Sequence, residues 1–227
     1  MSKVFTITEG LENMGALKTG GQGSIYKAKR TGPIITAVKL LPTPIFSEDP
    51  SDKNYRDFRN EVEKLKKVNS LDDYINILTT FYGYFAPVES KIEKYITPHQ
   101  LPDIHSRKRS LFILSDLEKL GHLEPLNTTE SLPRIDNDLQ AAGALYVLEG
   151  STLGGQHIAR MLSAKPALRQ REDIMSFFKG YEEQNDEMWQ NFKEYLNTEI
   201  TGEDVEMVVQ SAIETFALLD MDFKKGQ

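Results

Sequence analysis

Cysteine is absent from all 227 residues, which excludes a disulfide framework, a thiolate metal site and a catalytic thiol. Tryptophan occurs once and histidine four times, so a site that needs imidazole has few places to draw it from. Cations are in deficit, 27 Lys and Arg against 34 Asp and Glu for a net charge of −7. Without clustered positive charge to release counterions, general nucleic-acid binding is excluded. Nowhere do eighteen apolar residues run together, and the opening Met1-Ser2-Lys3-Val4-Phe5 lacks the apolar core of a secretion signal. These absences lead to the expectation of a cytoplasmic protein with no membrane segment, whose chemistry comes from a bound cofactor or from residues other than cysteine.

The apolar content, 39%, is ample for a core, and the length fits one large domain or two small ones. Charge is unevenly divided. Residues 1–70 carry 12 Lys and Arg against 8 Asp and Glu, net +4, which leaves −11 for residues 71–227. The same point separates two patterns. From Ser24 to Leu40 short runs rich in Ile, Val and Tyr flank the turn signal Gly32-Pro33, which predicts a β-hairpin or meander. Phe58, Val62, Leu65 and Val68 then mark one helix face.

Beyond Ser70 the pattern is helical. Tyr74, Ile75, Leu78, Phe81, Tyr82 and Phe85 form a wide stripe that predicts a helix ending near Pro87, with a further helix over Val88–Tyr95. Leu111, Leu114, Leu117 and Leu120 mark the buried face expected for a helix over Arg107–Leu120, with Gly121 at the position of a left-handed C-cap. Helical character is expected again over Asn137–Ser163, Ile174–Phe178, Asp186–Leu196 and Glu203–Phe223. The expected fold is therefore mainly α over residues 71–227, a helical bundle preceded by a small segment of β-strands and one helix over residues 1–70.

Two glycine clusters carry the chemistry. In the first, Gly20, Gly21 and Gly23 precede Lys39 by the length of two strands, and Glu61 lies on the helix that follows. Glycines let backbone N–H groups approach phosphates, and a lysine on a neighbouring strand could reach them; an ordinary hairpin turn would use the same glycines. Over about residues 10–70 this set resembles the N-terminal lobe of a Ser/Thr protein kinase, although Lys18 stands where that family has its first glycine. The resemblance implies that Ile25 and Ala37 line an adenine pocket, that Lys39 holds phosphates and that Glu61 orients Lys39. No His-Arg-Asp or Asp-Phe-Gly follows, so ATP and Mg²⁺ are doubtful ligands and kinase activity is not expected.

In the second cluster, Tyr146-Val147-Leu148-Glu149-Gly150-Ser151-Thr152-Leu153-Gly154-Gly155-Gln156, three glycines sit within six residues of a helical pattern, each costing about 1 kcal/mol relative to alanine. Either another helix packs closely on the small residues, or the helix bends and lets a flat ligand lie against its backbone. This stretch resembles the distal-helix motif of bacterial, biliverdin-forming heme oxygenases. The likeness continues in Phe81–Glu89, Asp116–Gly121, Phe177–Tyr181, Met188-Trp189 and Glu214–Phe216. It implies that heme, cofactor and substrate at once, lies between a proximal and a distal helix and is cleaved to biliverdin, CO and iron. Electrons would come from a donor such as ferredoxin or a flavoprotein. By the same resemblance Gly150, Gly154 and Gly155 crowd the heme and steer the oxidation, Tyr146 lines the site, and Ser151 helps hold a water network that delivers a proton.

One part of the resemblance fails. The family's axial histidine belongs roughly twenty residues before Tyr74, and Asp52–Arg59 holds none; Tyr55 is the remaining candidate ligand there. All four histidines, His99, His105, His122 and His157, lie downstream and read as exposed or packed side chains. The expectation is a heme oxygenase-like protein with impaired or absent turnover, through fusion, chimerism or an altered gene. The alternatives are an ATP-binding, kinase-like fusion and a non-catalytic helical interaction protein. Arg107, Lys108 and Arg109 are expected to form a solvated face, though they could meet heme propionates. Trp189, Phe177 and Phe178 are expected in the core, and nothing in their spacing requires Glu89 and Glu149 to meet.

Overall fold

The computed structural model describes residues 11–20, 23–30, 35–40 and 68–225. The chain divides into two compact units, Met1–Lys66 with Thr201–Val205, and Lys67–Ile200 with Glu206–Gln227. In the first unit, strands β1 (Leu11–Gly20), β2 (Gly23–Arg30) and β3 (Ile35–Leu40) form an antiparallel sheet in that order. Gly20 pairs with Gly23, and Lys39 pairs with Ile25. The helix face predicted from Phe58 to Leu65, with Glu61 and Tyr55, lies outside the described residues.

The second unit is helical: α1 (Leu71–Ile92), α2 (Arg109–Lys119), α3 (Asp138–Gly150), α4 (Thr152–Ser163), the single turn α5 (Ser176–Lys179), α6 (Asn185–Glu199) and, from Glu206 on, α7 (Asp204–Lys225). Among the described residues no helix is long and apolar enough to cross a membrane.

Helix α1 starts in a capping box, in which Ser70 Oγ accepts from Asp73 N at 3.0 Å and Asp73 Oδ2 accepts from Ser70 N at 2.9 Å. It does not stop at Pro87 as the sequence suggested; Pro87 is inside it, and the separate helix expected from Val88 is its last turn. A proline in mid-helix leaves the carbonyl four residues earlier without a donor. Here that carbonyl, Gly83 O, accepts from Thr129 N at 2.9 Å instead. Gly83 is what lets the loop come so close, since a Cβ there would stand 2.8 Å from Asn127 O.

Helix α2 also departs from expectation. Its leucine stripe is the buried face only in part: Leu117 is buried, but Leu111 is 53% exposed and Leu114 36%, while Arg109, Ser110, Ile113 and Asp116 are buried. A hydropathy pattern cannot anticipate polar side chains inside, and here each has a partner from another helix. Glu89 on α1 accepts from Ser110 N at 3.1 Å and also from its hydroxyl, capping α2 from outside because Lys108 supplies no cap. Asp116 in turn accepts from Ser176 N at 3.0 Å and Phe177 N at 2.9 Å, capping α5. The end of α2 follows expectation: Gly121 has φ of +73°, Gly121 N donates to Glu118 O at 2.9 Å and His122 N to Leu117 O at 3.0 Å, a Schellman closure.

Aromatic side chains fill the space between these helices. Phe85 and Phe177 meet edge to face at 5.2 Å between centroids, and Phe81 lies 4.9 Å from Phe177. The buried phenols are satisfied, Tyr74 donating to Ile174 O at 2.8 Å and Tyr84 to Thr215 O at 2.6 Å. Phe177 and Phe178 are buried as expected, and Trp189 is half-buried against Tyr146 at 5.6 Å.

Candidate functional site

The second glycine cluster lies where α3 gives way to α4, and the break is one residue wide, at Ser151. None of Gly150, Gly154 and Gly155 has positive φ, so the bend does not use glycine's conformational freedom. It coincides with two hydroxyls that bond back onto the preceding turn. Ser151 Oγ donates to Leu148 O at 2.6 Å and Thr152 Oγ1 to Glu149 O at 2.8 Å. Back-bonding of this kind competes with the helical ladder and bends it.

What the glycines supply is the missing Cβ, and they divide by what it would meet. A Cβ on Gly155 would stand 2.2 Å from Phe178 O, and one on Gly143 would stand 2.3 Å from Val208 O. These two are packing glycines, against α5 and α7. At Gly150 and Gly154 a Cβ would meet nothing within 4 Å. The close-packing reading of the cluster therefore holds for Gly155, while Gly150 and Gly154 are left open. Gly150 and Gly154 fall four apart on one face, with Tyr146 and Val147 half-buried on the turn before and Ser151 exposed between them. This face presents bare backbone bordered by apolar side chains, a surface suited to a flat ring system.

Behind the break is a buried charged cluster that the sequence reading placed in solvent. Arg107 and Arg109 are 2% and 1% exposed. Arg107 donates to Glu149 Oε2, to Asp103 Oδ1 at 2.6 Å and to Met188 O at 2.8 Å. Tyr181 donates its hydroxyl to Glu149 Oε1 at 2.7 Å. Burial pushes the Glu149 carboxyl above its ordinary value, against the pull of Arg107 and Tyr181. Burial likewise pushes Glu89 up to about 7, although Ser110 donates to it twice. The two glutamates do not pair with each other; each has its own donors.

Arg109 runs under the break itself. Its guanidinium donates to Ser151 Oγ at 2.8 Å and to Phe177 O at 2.6 Å, and lies 4.8 Å from the Phe177 ring centroid. Its burial lowers its pKa. This cluster had a sequence signal. Glu149 breaks an apolar run at a position facing the core, which demands a partner, but nothing in the spacing singles out Arg107, forty-two residues earlier.

The histidines are elsewhere. His99, His105 and His157 are exposed; His105 lies 3.5 Å from Glu93. His122 lines a neutral cleft of about 450 Å³ between α1 and the 125–129 loop, which shares no residue with the open glycine face. Among the described residues no three His, Asp or Glu side chains cluster to hold a metal ion.

The heme oxygenase family model matches residues 56–224. The chain belongs to the heme oxygenase family. No curated protein matches it. The family match begins inside the segment assigned by resemblance to a kinase lobe, so residues 56–70, Glu61 among them, are part of the heme oxygenase stretch. The boundary expected at residue 70 falls within that match, and Glu61 lies outside the described residues. No comparison supports a kinase lobe over the remaining residues. The pairing of Gly20 with Gly23 and of Lys39 with Ile25 is that of a short antiparallel meander, and Gly21 lies outside the described residues.

Proposed function

We propose that the chain binds heme on the face formed by Tyr146, Val147, Gly150, Ser151 and Gly154, and that its reaction is the family's oxidative cleavage of heme to biliverdin, CO and iron. The observation that carries this reading is the open space at Gly150 and Gly154, beside two other glycines of the same helices that are filled by packing. Glycine costs up to about 1 kcal/mol relative to alanine in a helix, and neither Gly150, the last residue of α3, nor Gly154, in the first turn of α4, is required by packing.

When bound, heme supplies the redox chemistry, and the protein supplies orientation and proton handling. Gly150 and Gly154 set how near the ring approaches the helix. Tyr146, held against Trp189, borders the ring on one side. Ser151 offers a polar group at the break, and the Arg107–Glu149–Tyr181 cluster keeps the break rigid from behind. Gly155 acts through α5 packing, with no contact to the ligand. Electrons come from a separate donor, a ferredoxin or a flavoprotein.

The proximal side sets the activity. Asp52–Arg59 contains no histidine, and the four histidines lie at other positions, so Tyr55 is the ligand available where the family has imidazole. This chain is therefore a weak heme binder with little or no turnover. Titration with hemin, followed by absorbance, tests both halves of the reading. Broad, weak binding that Gly150→Leu abolishes is expected. Stoichiometric binding with a sharp Soret band and ascorbate-driven conversion to biliverdin would overturn the impairment; binding unaffected by Gly150→Leu would overturn the site.

A further inference from the structure

The open face does not end at Gly154. A helix returns to the same side every three to four residues, so the next residues on that side are His157 and Ile158, with His157 about 4.5 Å further along the axis. Both belong to α4, Ile158 half-buried and His157 exposed. The bare backbone at Gly150 and Gly154 therefore runs directly into an imidazole.

The four histidines differ in what surrounds them. His105 lies 3.5 Å from Glu93, His122 lines the cleft between α1 and the 125–129 loop, and His99 lies in the loop between α1 and α2. His157 alone shares a helix face with the open glycines, and no hydrogen bond or ion pair holds it among the described residues. Heme iron takes His, Cys, Met or Tyr as protein ligand. Cysteine is absent, and no histidine lies within Asp52–Arg59. Of the aromatic donors beside the face, Tyr146 is packed on Trp189, which leaves the imidazole of His157 as the unengaged one.

We propose that His157 is the protein's heme-iron ligand, reaching the metal from the side of the glycine-bearing helix. A ring nitrogen gives its lone pair to the iron, and no oxidation state changes. This bond takes the coordination position on the side of Gly150 and Ser151, and oxygen must displace it to react there. The bond that holds the heme thus also holds turnover down, which is a reason for impairment separate from the lack of a histidine in Asp52–Arg59. The proposal rests on the heme-face reading above, and the two fail separately in the test below.

The test uses the full chain with hemin, its histidines labelled with nitrogen-15, and reads the iron–nitrogen stretch by resonance Raman spectroscopy. The wild type shows an isotope shift from imidazole ligation. His157→Ala, at an exposed position, keeps the fold, abolishes the isotope shift and weakens hemin binding by about ten-fold or more, at least the cost of losing an outer partner at a metal site. Added imidazole restores a nitrogen-ligated spectrum to this variant, and His99→Ala, His105→Ala and His122→Ala keep the wild-type shift. An isotope shift that persists in His157→Ala overturns the proposal, as does its absence from the wild type. A phenolate spectrum that is lost in Tyr55→Phe or Tyr146→Phe also overturns it, because oxygen then holds the iron. Unchanged binding and an unchanged shift in Gly150→Leu would take down the heme-face reading and leave His157 as the ligand. Loss of binding in Gly150→Leu, with the shift persisting in His157→Ala, would do the reverse.

Discussion

The Tyr181 hydroxyl donates to Glu149 Oε1 at 2.7 Å, tying the segment after α5 to the residue that precedes the first open glycine. Glu149 is 1% exposed and takes its other donor from Arg107, itself 2% exposed. The two donors are not equivalent. Tyr181→Phe removes one neutral donor and leaves the ion pair, at a cost of about 1.5–3 kcal/mol for a hydrogen bond to a charged acceptor. Arg107→Ala leaves Glu149 charged and buried, at a cost of about 3–5 kcal/mol. Urea unfolding of the two variants checks the order, with the midpoint falling in both and falling further in Arg107→Ala. A larger loss in Tyr181→Phe would mean that Glu149 is held chiefly by the phenol.

The glycines make opposite predictions for stability and for binding. Gly150→Ala and Gly154→Ala place a methyl group in open space within a helix, so each raises the stability of the heme-free protein by about 0.5–1 kcal/mol. Each also weakens hemin binding, since the methyl stands where the ring approaches. Gly155→Ala drives a methyl into Phe178 O, 2.2 Å from the new atom. It destabilises by about 1–3 kcal/mol through displacement of α5. Thermal unfolding of the three variants, with and without hemin, separates the two open glycines from the packed one. Destabilisation by Gly150→Ala would show that this face is already covered.

How far the sequence could be read follows from which forces leave a mark on it. The helical unit was legible because its long amphipathic stretches repeat at helical period, and Gly121 announced the end of α2 through its C-cap position. The continuation of α1 through Pro87 was not legible. It depends on Thr129 N reaching Gly83 O from forty-six residues away, and a local breaker rule contains no such partner. The buried face of α2 was misread for a related reason. Arg109, Ser110 and Asp116 count as exposed in any hydropathy pattern, and only the fold brings them Phe177 O, Glu89 and the α5 amides. In the candidate site the glycine positions were legible as a set. Their division into packed and open required the neighbours, because sequence does not say which side of a helix is occupied.

Glu89 gives the protein a pH dependence whose sign can be worked out. In the unfolded chain its carboxyl titrates near the ordinary value of 4.5, whereas in the folded protein burial holds it up to about 7. Between these values the folded state binds more protons than the unfolded state, so unfolding free energy falls as pH rises. The protonated form's advantage is complete below about 4.5 and is lost as pH passes through about 7. Burial also pushes Asp116 and Glu149 upward, which adds to the same slope. A shift of this size corresponds to roughly 3–4 kcal/mol for Glu89 alone. Glu89→Gln keeps an amide oxygen to accept from Ser110 N while removing the titration. Unfolding free energy measured from pH 5 to pH 8 should decline with pH in the wild type and decline less in Glu89→Gln. Equal slopes in the two proteins would show that Glu89 is charged throughout that range, with the Ser110 hydrogen bonds and the nearby Arg109 cation outweighing its burial.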